Sequence, residues 1–275
     1  MNDQYYLFRG CLIPTRLPFL ERSSLFVLDK LGVKYEQMVG ATCCVEPIGL
    51  RSLAEDTWLL MTARMLAIAE KGGRDILSLC NGCYLSLEES RQALEDAATR
   101  DRANAVLAEV GLKYTGNVKV RHFAEIVREA GEGKVRSLVN VPQEQLKLAA
   151  HPGCHMVRPS TKLKIDEHFA PKVLDEIASW CGSHVVVSEK WPKCCGGGIA
   201  GIDEKVSARM LEDATSSFRP SGANCILTPC PFCFVQFDIR QKEGLPVLYL
   251  SELLALAFGA TPEQIGLKYH KTRLP

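Results

Sequence analysis

The sequence predicts an α/β protein built as two tandem halves, each a small, largely parallel sheet flanked by helices. Three observations carry this reading. Ten of the 12 cysteines in the 275 residues repeat their spacing: from Cys11, residues Cys43, Cys44, Cys80 and Cys83 lie at offsets 32, 33, 69 and 72. From Cys154, residues Cys194, Cys195, Cys230 and Cys233 lie at offsets 40, 41, 76 and 79. Each set is one Cys, an adjacent pair and a C-x-x-C, so the chain is an internal duplication displaced by 143 residues. The surroundings repeat as well, ILSLCNGCYLSL matching CILTPCPFCFVQF. Within each half, short β-rich runs alternate with helical stretches, the pattern of a parallel sheet with crossover helices.

In chain order, RGCLIP leads into a helical run in which Leu25, Phe26, Leu28 and Leu31 mark the apolar face and Gly32 the stop. The apolar stretch Trp58–Ala69, interrupted by Arg64, reads as an amphipathic helix. Next comes a β-rich run ending at Cys80, with a helix beginning inside the C-x-x-C. The stretch from about Ala130 to Gln145 is expected to join the halves, giving domains 1–145 and 146–275. HPGCHMVRP then repeats the RGCLIP landmark. A helix over Pro171–Cys181, with Val173, Leu174, Ile177, Ala178 and Cys181 on one face, stops at Gly182. HVVVSE reads as a buried strand, and Leu245–Ala260, interrupted by Glu252, as a second amphipathic helix. In such sheets ligands gather at the carboxyl ends of strands, where Cys11, Cys80, Cys154 and Cys230 fall.

Composition limits the partners. Lys+Arg 33 against Asp+Glu 32 leaves a formal charge of +1, which offers no basic face for nucleic acid. No apolar run reaches membrane-spanning length, so no membrane insertion is expected. MNDQYYLFRG lacks the apolar core of a secretory signal. The expected location is therefore cytoplasmic, where clustered thiols mean metal or redox chemistry rather than structural disulfides.

Several chemistries use clustered thiols. A structural zinc ion takes four ligands, commonly from two C-x-x-C pairs; here each set has one such pair and five cysteines. A thioredoxin-type dithiol accounts for a C-x-x-C at a strand-to-helix step but leaves three cysteines per half unused. An iron–sulfur cluster accounts for more, because several irons need several thiolates. Glycines beside ligands let backbone N–H groups approach the sulfurs, and Gly82, Gly153, Gly196, Gly197 and Gly198 are placed for that. The ferredoxin run C-x-x-C-x-x-C-x-x-x-C-P is absent.

The motifs GCLIP, GATCCVEP, LSLCNGCYLSL, HPGCHMVRP, CCGGGIAG, TPCPFCFVQFD and the tail VLYLSELLALAFG resemble the duplicated cysteine-rich CCG-domain family, most of all the catalytic B subunits of heterodisulfide reductases. The resemblance spans essentially the whole chain. It implies two pseudo-twofold related domains, each binding a noncubane [4Fe-4S] cluster, with a small-molecule disulfide cleaved between the two clusters. By position, Cys11, Cys43, Cys44, Cys80 and Cys83 would hold one cluster, and Cys154, Cys194, Cys195, Cys230 and Cys233 the other. The implied substrate is the coenzyme M–coenzyme B heterodisulfide. The implied partners are the ferredoxin-like C subunit and the flavin-containing A subunit of such a complex, and exposed apolar surface is expected beside at least one cluster. Two places depart from the family pattern. Val45-Glu46-Pro47 follows the first cysteine pair where the methanogen pattern carries Pro-Ala-Pro, and the 34 residues between Cys195 and Cys230 form a shorter segment than usual. Neither removes a ligand.

A second reading makes the chain an electron-transfer subunit, because CCG domains also occur in lactate-utilisation, glycolate-oxidase and succinate-dehydrogenase-like complexes. An open, positively lined cavity between the clusters supports a substrate; a filled gap supports a wire. His155, beside Cys154, is the candidate proton donor to a released thiolate, weighed against a histidine hydrogen-bonded near the cluster with no catalytic part. GGGIAG satisfies the dinucleotide pattern but follows Cys-Cys rather than a strand end, so cluster approach suits it better. Cys181 and Cys225 read as small core residues, and Trp58, Trp180 and Trp191 as packing residues. Arg9, Arg16, Arg158 and Lys162 lie near ligands in sequence, where surface solvation competes with attraction of an anionic substrate.

Overall fold

Two four-stranded parallel sheets organise the computed structural model, which describes residues 4–186, 193–242 and 244–275. In the first, β1 (Gln4–Phe8) pairs with β2 (Lys34–Gln37) and β3 (Asp75–Ser78), and β3 pairs with β4 (Val120–His122), giving the order β2-β1-β3-β4. In the second, β5 (Lys147–Ala150), β6 (His184–Val185), β7 (Cys225–Thr228) and β8 (Val247–Tyr249) repeat that order as β6-β5-β7-β8. The inner strands are covered on both faces, so β7 (CILT) is buried at every position and reads as a continuous apolar run rather than an alternation.

The helices of the first half are α1 (Leu12–Arg16), α2 (Pro18–Leu31), α3 (Gly49–Leu53), α4 (Glu55–Lys71), α5 (Asn81–Ala93), α6 (Ala97–Leu107), α7 (Phe123–Ala130) and α8 (Glu132–Leu138). Those of the second are α9 (Cys154–Val157), α10 (Val173–Trp180), α11 (Glu204–Phe218), α12 (Pro231–Val235), α13 (Leu250–Ala257) and α14 (Pro262–Ile265). Pro18 supplies the fixed φ of a first helical turn for α2, and Gly32, at φ 78°, ends it. The halves pack reciprocally. α2 lies against α13 and α14, as α10 lies against α7 and α8; α1 meets α12, as α9 meets α5. This exchange is the pseudo-twofold relation, and it makes one core of the two halves. Ser23 and Ser24 of α2 reach Ser251 of α13 at 2.7 and 3.0 Å in that buried seam.

Three expectations change. Leu245–Ala260 is not one helix: Val247, Leu248 and Tyr249 form β8, and α13 follows, because the outer strand of this sheet is buried and needs apolar residues on both faces. HVVVSE is not a buried strand. His184 is exposed and Val185 half-buried at the sheet edge, and residues 187–189 lie outside the described residues, as does Trp191. The stretch Ala130–Gln145 holds α8, after which the Asn140 and Val141 N–H groups donate to the carbonyl of Ala257 at 2.8 and 3.0 Å.

Candidate metal centre

The sheet order places the cysteines. The chain leaves β1 for β2 on one side and β3 for β4 on the other, so a crevice opens at the carboxyl ends of β1 and β3. Cys11 follows β1, the Cys43–Cys44 pair follows β2, and Cys80 follows β3; in the second half the same three strand ends carry Cys154, Cys194–Cys195 and Cys230. Cys80 and Cys230 are the N-caps of α5 and α12, and their C-x-x-C partners Cys83 and Cys233 stand in the first helical turns. The Gly82 and Cys83 N–H groups aim at the Cys80 sulfur, which is how a helix N-terminus stabilises a thiolate.

All ten predicted cysteines come together. Their sulfurs form one unbroken run of side-chain contacts. It passes from Cys11 through Cys43, Cys44 and Cys83 to Cys80, crosses to Cys230, and continues through Cys233, Cys195 and Cys194 to Cys154. The mirrored pairs Cys44–Cys83 and Cys195–Cys233 are both 3.3 Å apart. Cys43, contacted by Cys11 and then Cys44, is pulled down to about 2, and Cys194, contacted by Cys154 and then Cys195, likewise to about 2. The contact with Cys230, followed by that with Cys83, holds Cys80 well below an ordinary thiol. The N–H groups directed at Cys80, Cys194 and Cys195 favour the thiolate, the form that binds metal.

The backbone approaches the sulfurs closely where glycine permits it. A Cβ on Gly10, which sits at φ 66°, would lie 2.6 Å from the Cys83 sulfur. The Gly196 and Gly197 N–H groups donate to the Cys194 and Cys195 sulfurs at 3.4 Å each. Gly82 and Gly153 lie beside Cys80 and Cys233, and Gly198, against Ile48, lines the second cavity with Cys194 and Cys195. Five thiols converging from three strand ends exceed what one tetrahedral ion takes and suit a cluster of several irons.

Two small cavities open on the sulfurs. One lies over Cys11, Cys43, Cys44, Cys80 and Cys83; the other lies over Cys154, Cys194, Cys195, Cys230 and Cys233. Glu46, Pro47, Gly82 and Phe232 line both, so a single lip joins them. His155 lines the second cavity, its Nδ1 close to Gly82 of the other half. Arg9 lines the first but pairs with Glu21 at 3.2 Å. Arg16, Arg158 and Lys162 line neither. Glu46 turns inward, its carboxylate accepting the Ile48 and Gly49 N–H groups at 2.8 and 2.6 Å.

Several neighbours carry no signal in the cysteine pattern. Tyr249, from the second half, donates to the Leu79 carbonyl beside Cys80, and Asn81 donates to the Pro152 carbonyl at 2.7 Å, so each half braces the other's ligand loop. His151 is buried, with its ring near Cys195 and Cys233, and burial depresses it to about 4. Comparing the two repeats position by position would have found it, because Phe8 stands at its counterpart. Cys181 and Cys225 are buried in the core, burial pushing Cys181 up to about 12. Trp58 packs in the core with its Nε1 donating to Ser86 at 2.6 Å, and Trp180 is half-buried against the core. The glycines at 196–198 hold a thiolate turn instead of opening a helix after a strand.

Residues 5–88 and 148–238 each match the cysteine-rich CCG domain. The chain is 37% identical over 275 residues to the B subunit of the ferredoxin/F(420)H(2)-dependent CoB-CoM heterodisulfide reductase of Methanosarcina acetivorans, covering 95% of this chain and 91% of that protein. It is 29% identical over 286 residues to the 8-methylmenaquinol:fumarate reductase membrane anchor subunit of Wolinella succinogenes, covering 98% and 97%. Among the described residues no helix is long and apolar enough to cross a membrane. A hypothetical protein from Helicobacter pylori shares the fold with a TM-score of 0.73 at 14% identity, covering all of this chain and 53% of that one.

Proposed function

The chain belongs to the duplicated CCG-domain family of heterodisulfide reductase B subunits, and from that premise we propose that it is the catalytic iron–sulfur subunit of a heterodisulfide-reductase-type complex. The observation that carries the reading is the meeting of the two five-cysteine sets at Cys80 and Cys230, directly beneath the joined cavities. Each set would hold one noncubane [4Fe-4S] cluster. When bound, such clusters supply electrons one at a time and iron that takes up a thiolate. Cleaving a disulfide to two thiols consumes two electrons and two protons, so two one-electron centres facing one bond suit the stoichiometry.

The chain's own residues supply the rest. Pro47 and Phe232 line the lip that the two cavities share. His155 stands where it can hand a proton to the thiolate released on the second side. Electrons would arrive from the ferredoxin-like C subunit and the flavin-containing A subunit of the complex. The expected apolar landing surface has a candidate in Ile48, which lines the second cavity, and Ile202, which lies against the neighbouring Gly49, exposed by 40% and 72%, with Leu50 and Leu53 following on α3.

One observation favours the second reading, an electron-transfer subunit or a reductase for a disulfide other than the coenzyme M–coenzyme B heterodisulfide. Among the described residues lining the cavities, the permanently charged side chains are Arg9, already paired, and Glu46. That is not a positively lined gap. The deciding experiment is to reconstitute the chain with iron and sulfide, add a one-electron reductant, and assay cleavage of the coenzyme M–coenzyme B heterodisulfide and of uncharged disulfides. EPR of the oxidised protein with each thiol accompanies the assay. Turnover with a thiol-dependent paramagnetic signal supports the reductase. Two intact clusters with no cleavage support the electron-transfer reading, and zinc without iron overturns both.

A further inference from the structure

We propose that His151 donates its imidazole N–H to a sulfur of the second cluster, so that the two clusters of this duplicated fold sit at different potentials. The inference rests on the cluster reading above and deepens it. His151 follows β5, three residues before Cys154, and is 1% exposed. Neither ring nitrogen has a hydrogen-bond partner among the described residues. Leaving a buried polar atom unpaired is costly, so a chain seldom retains two such atoms in one ring without a use for them. The ring reaches the ligands: one of its nitrogens and the sulfurs of Cys195 and Cys233 all lie within 4.8 Å of one another. Phe237 and Phe218 meet the ring edge-on, at centroid distances of 4.8 and 6.1 Å, and fix its plane.

The first half supplies the control. Phe8 also lies three residues before the first cysteine of its set and is fully buried. Its register partner is Ser78, two residues before Cys80; the pairing of Ala150 with Leu227 sets His151 beside Thr228, two residues before Cys230. One backbone position thus carries a phenyl ring in the first half and an imidazole in the second. Imidazole carries at least one N–H in either protonation state, whereas phenyl carries none. An N–H directed at a cluster sulfur stabilises the more negatively charged, reduced state and raises the potential. Five cysteines already supply the ligand set on this side, which leaves His151 the role of donor instead of sixth ligand. It is a positioning and tuning residue.

The test uses the full chain reconstituted with iron and sulfide, with the residue exchanged for its counterpart in the first half (His151→Phe) or for an amide donor (His151→Gln). Spectroscopic redox titration of the wild type is expected to resolve two potentials. In H151F the higher one falls while the other stays, and H151Q lies between. In wild-type protein carrying nitrogen-15 histidine, pulsed EPR should show one weakly coupled nitrogen; this measurement needs no variant and stands if H151F does not fold. Two wild-type clusters whose potentials are unmoved by both variants overturn this inference alone. A histidine coupling as strong as that of iron-bound imidazole overturns it in favour of ligation. Wild-type protein that takes up no iron overturns the cluster reading, and this inference with it.

Discussion

The two halves share a sheet order, a helix exchange and a ten-sulfur run, yet the shells around their cysteines differ. Cys11 and Cys43 of the first set are exposed, whereas their counterparts Cys154 and Cys194 are half-buried. The first C-x-x-C encloses Asn81 and Gly82, the second Pro231 and Phe232. Phe8 in the first half corresponds to His151 in the second, just past β1 and β5, and His122 corresponds to Tyr249 at the ends of β4 and β8. Duplication has kept what holding metal demands, the sulfurs and the strand-to-helix steps that aim them. It has released what merely surrounds them. The difference teaches where the two sites have divided their work: ligation is common property, and environment is not.

The largest expected effect attacks the common part. Cys44→Ala and Cys195→Ala each remove one of the mirrored buried sulfurs that sit 3.3 Å from Cys83 and Cys233. If each half holds its own cluster, either variant binds about half the wild-type iron, and the double variant almost none. Iron and acid-labile sulfide analysis after reconstitution checks this. Loss of all iron from one single variant would mean that the sets share one centre.

The next comparison sets one backbone position against itself. The residue after each cysteine pair is left-handed: Gly196 at φ 75°, and Val45 at φ 55°, the sole non-glycine residue of positive φ among the described residues. A β-branched side chain there is strained by about 1–3 kcal/mol, which the first half tolerates and the second avoids. Val45→Gly is therefore expected to stabilise the fold by about 1 kcal/mol. Gly196→Val should destabilise it by about 3 kcal/mol or more, because a Cβ there also lies 2.7 Å from the Ser207 carbonyl oxygen. Urea unfolding of the two variants beside the wild type gives both signs in one experiment.

The common part was readable in the sequence because spacing is what metal ligation constrains: the ten cysteines, the α/β class and the strand-end placement of Cys11, Cys80, Cys154 and Cys230 all follow from it. What lay outside that constraint was hidden. The strand Val247–Tyr249 looked like helix because burial on both faces erases the alternation that marks a strand. His151 lies inside the motif HPGCHMVRP, but only the fold carries a side chain three residues before Cys154 back to the sulfurs of Cys195 and Cys233. Tyr249 and Asn81 act across the halves, and no local pattern reports a contact whose partner is 170 or 71 residues away.

The smallest expected effect separates the halves by pH. Both β4 and β8 end in the N-cap residue of the next helix, and the backbone N–H of each donates to a glutamate in that helix, His122 to Glu125 and Tyr249 to Glu252. In the first half Glu125 also pairs with Arg121 at 3.0 Å, a partner that stays charged. In the second, Glu252 is fully buried and pairs with His270 at 2.9 Å. Burial works against the charged form of His270, but the hydrogen bond and charge of Glu252, with Asp238 adding to them, outweigh it and raise the imidazole above its ordinary value. A raised histidine contributes stability that is complete below about pH 6.5 and is lost as pH climbs through the folded value. His122 has the opposite sense: burial lowers it to about 4, so its contribution holds above about pH 6.5 and is lost as pH falls through that lower value. His270→Gln should therefore cost more at pH 5.5 than at pH 8.5, by about 1 kcal/mol, the range of a charge-assisted hydrogen bond partly replaced by a neutral one. His122→Asn, free of an imidazole that must stay neutral, should gain on the wild type as pH falls from 6.5 to 5.5. Urea midpoints at the two pH values decide it, and parallel pH profiles for the two variants would show that the caps, unlike the cluster shells, have not diverged.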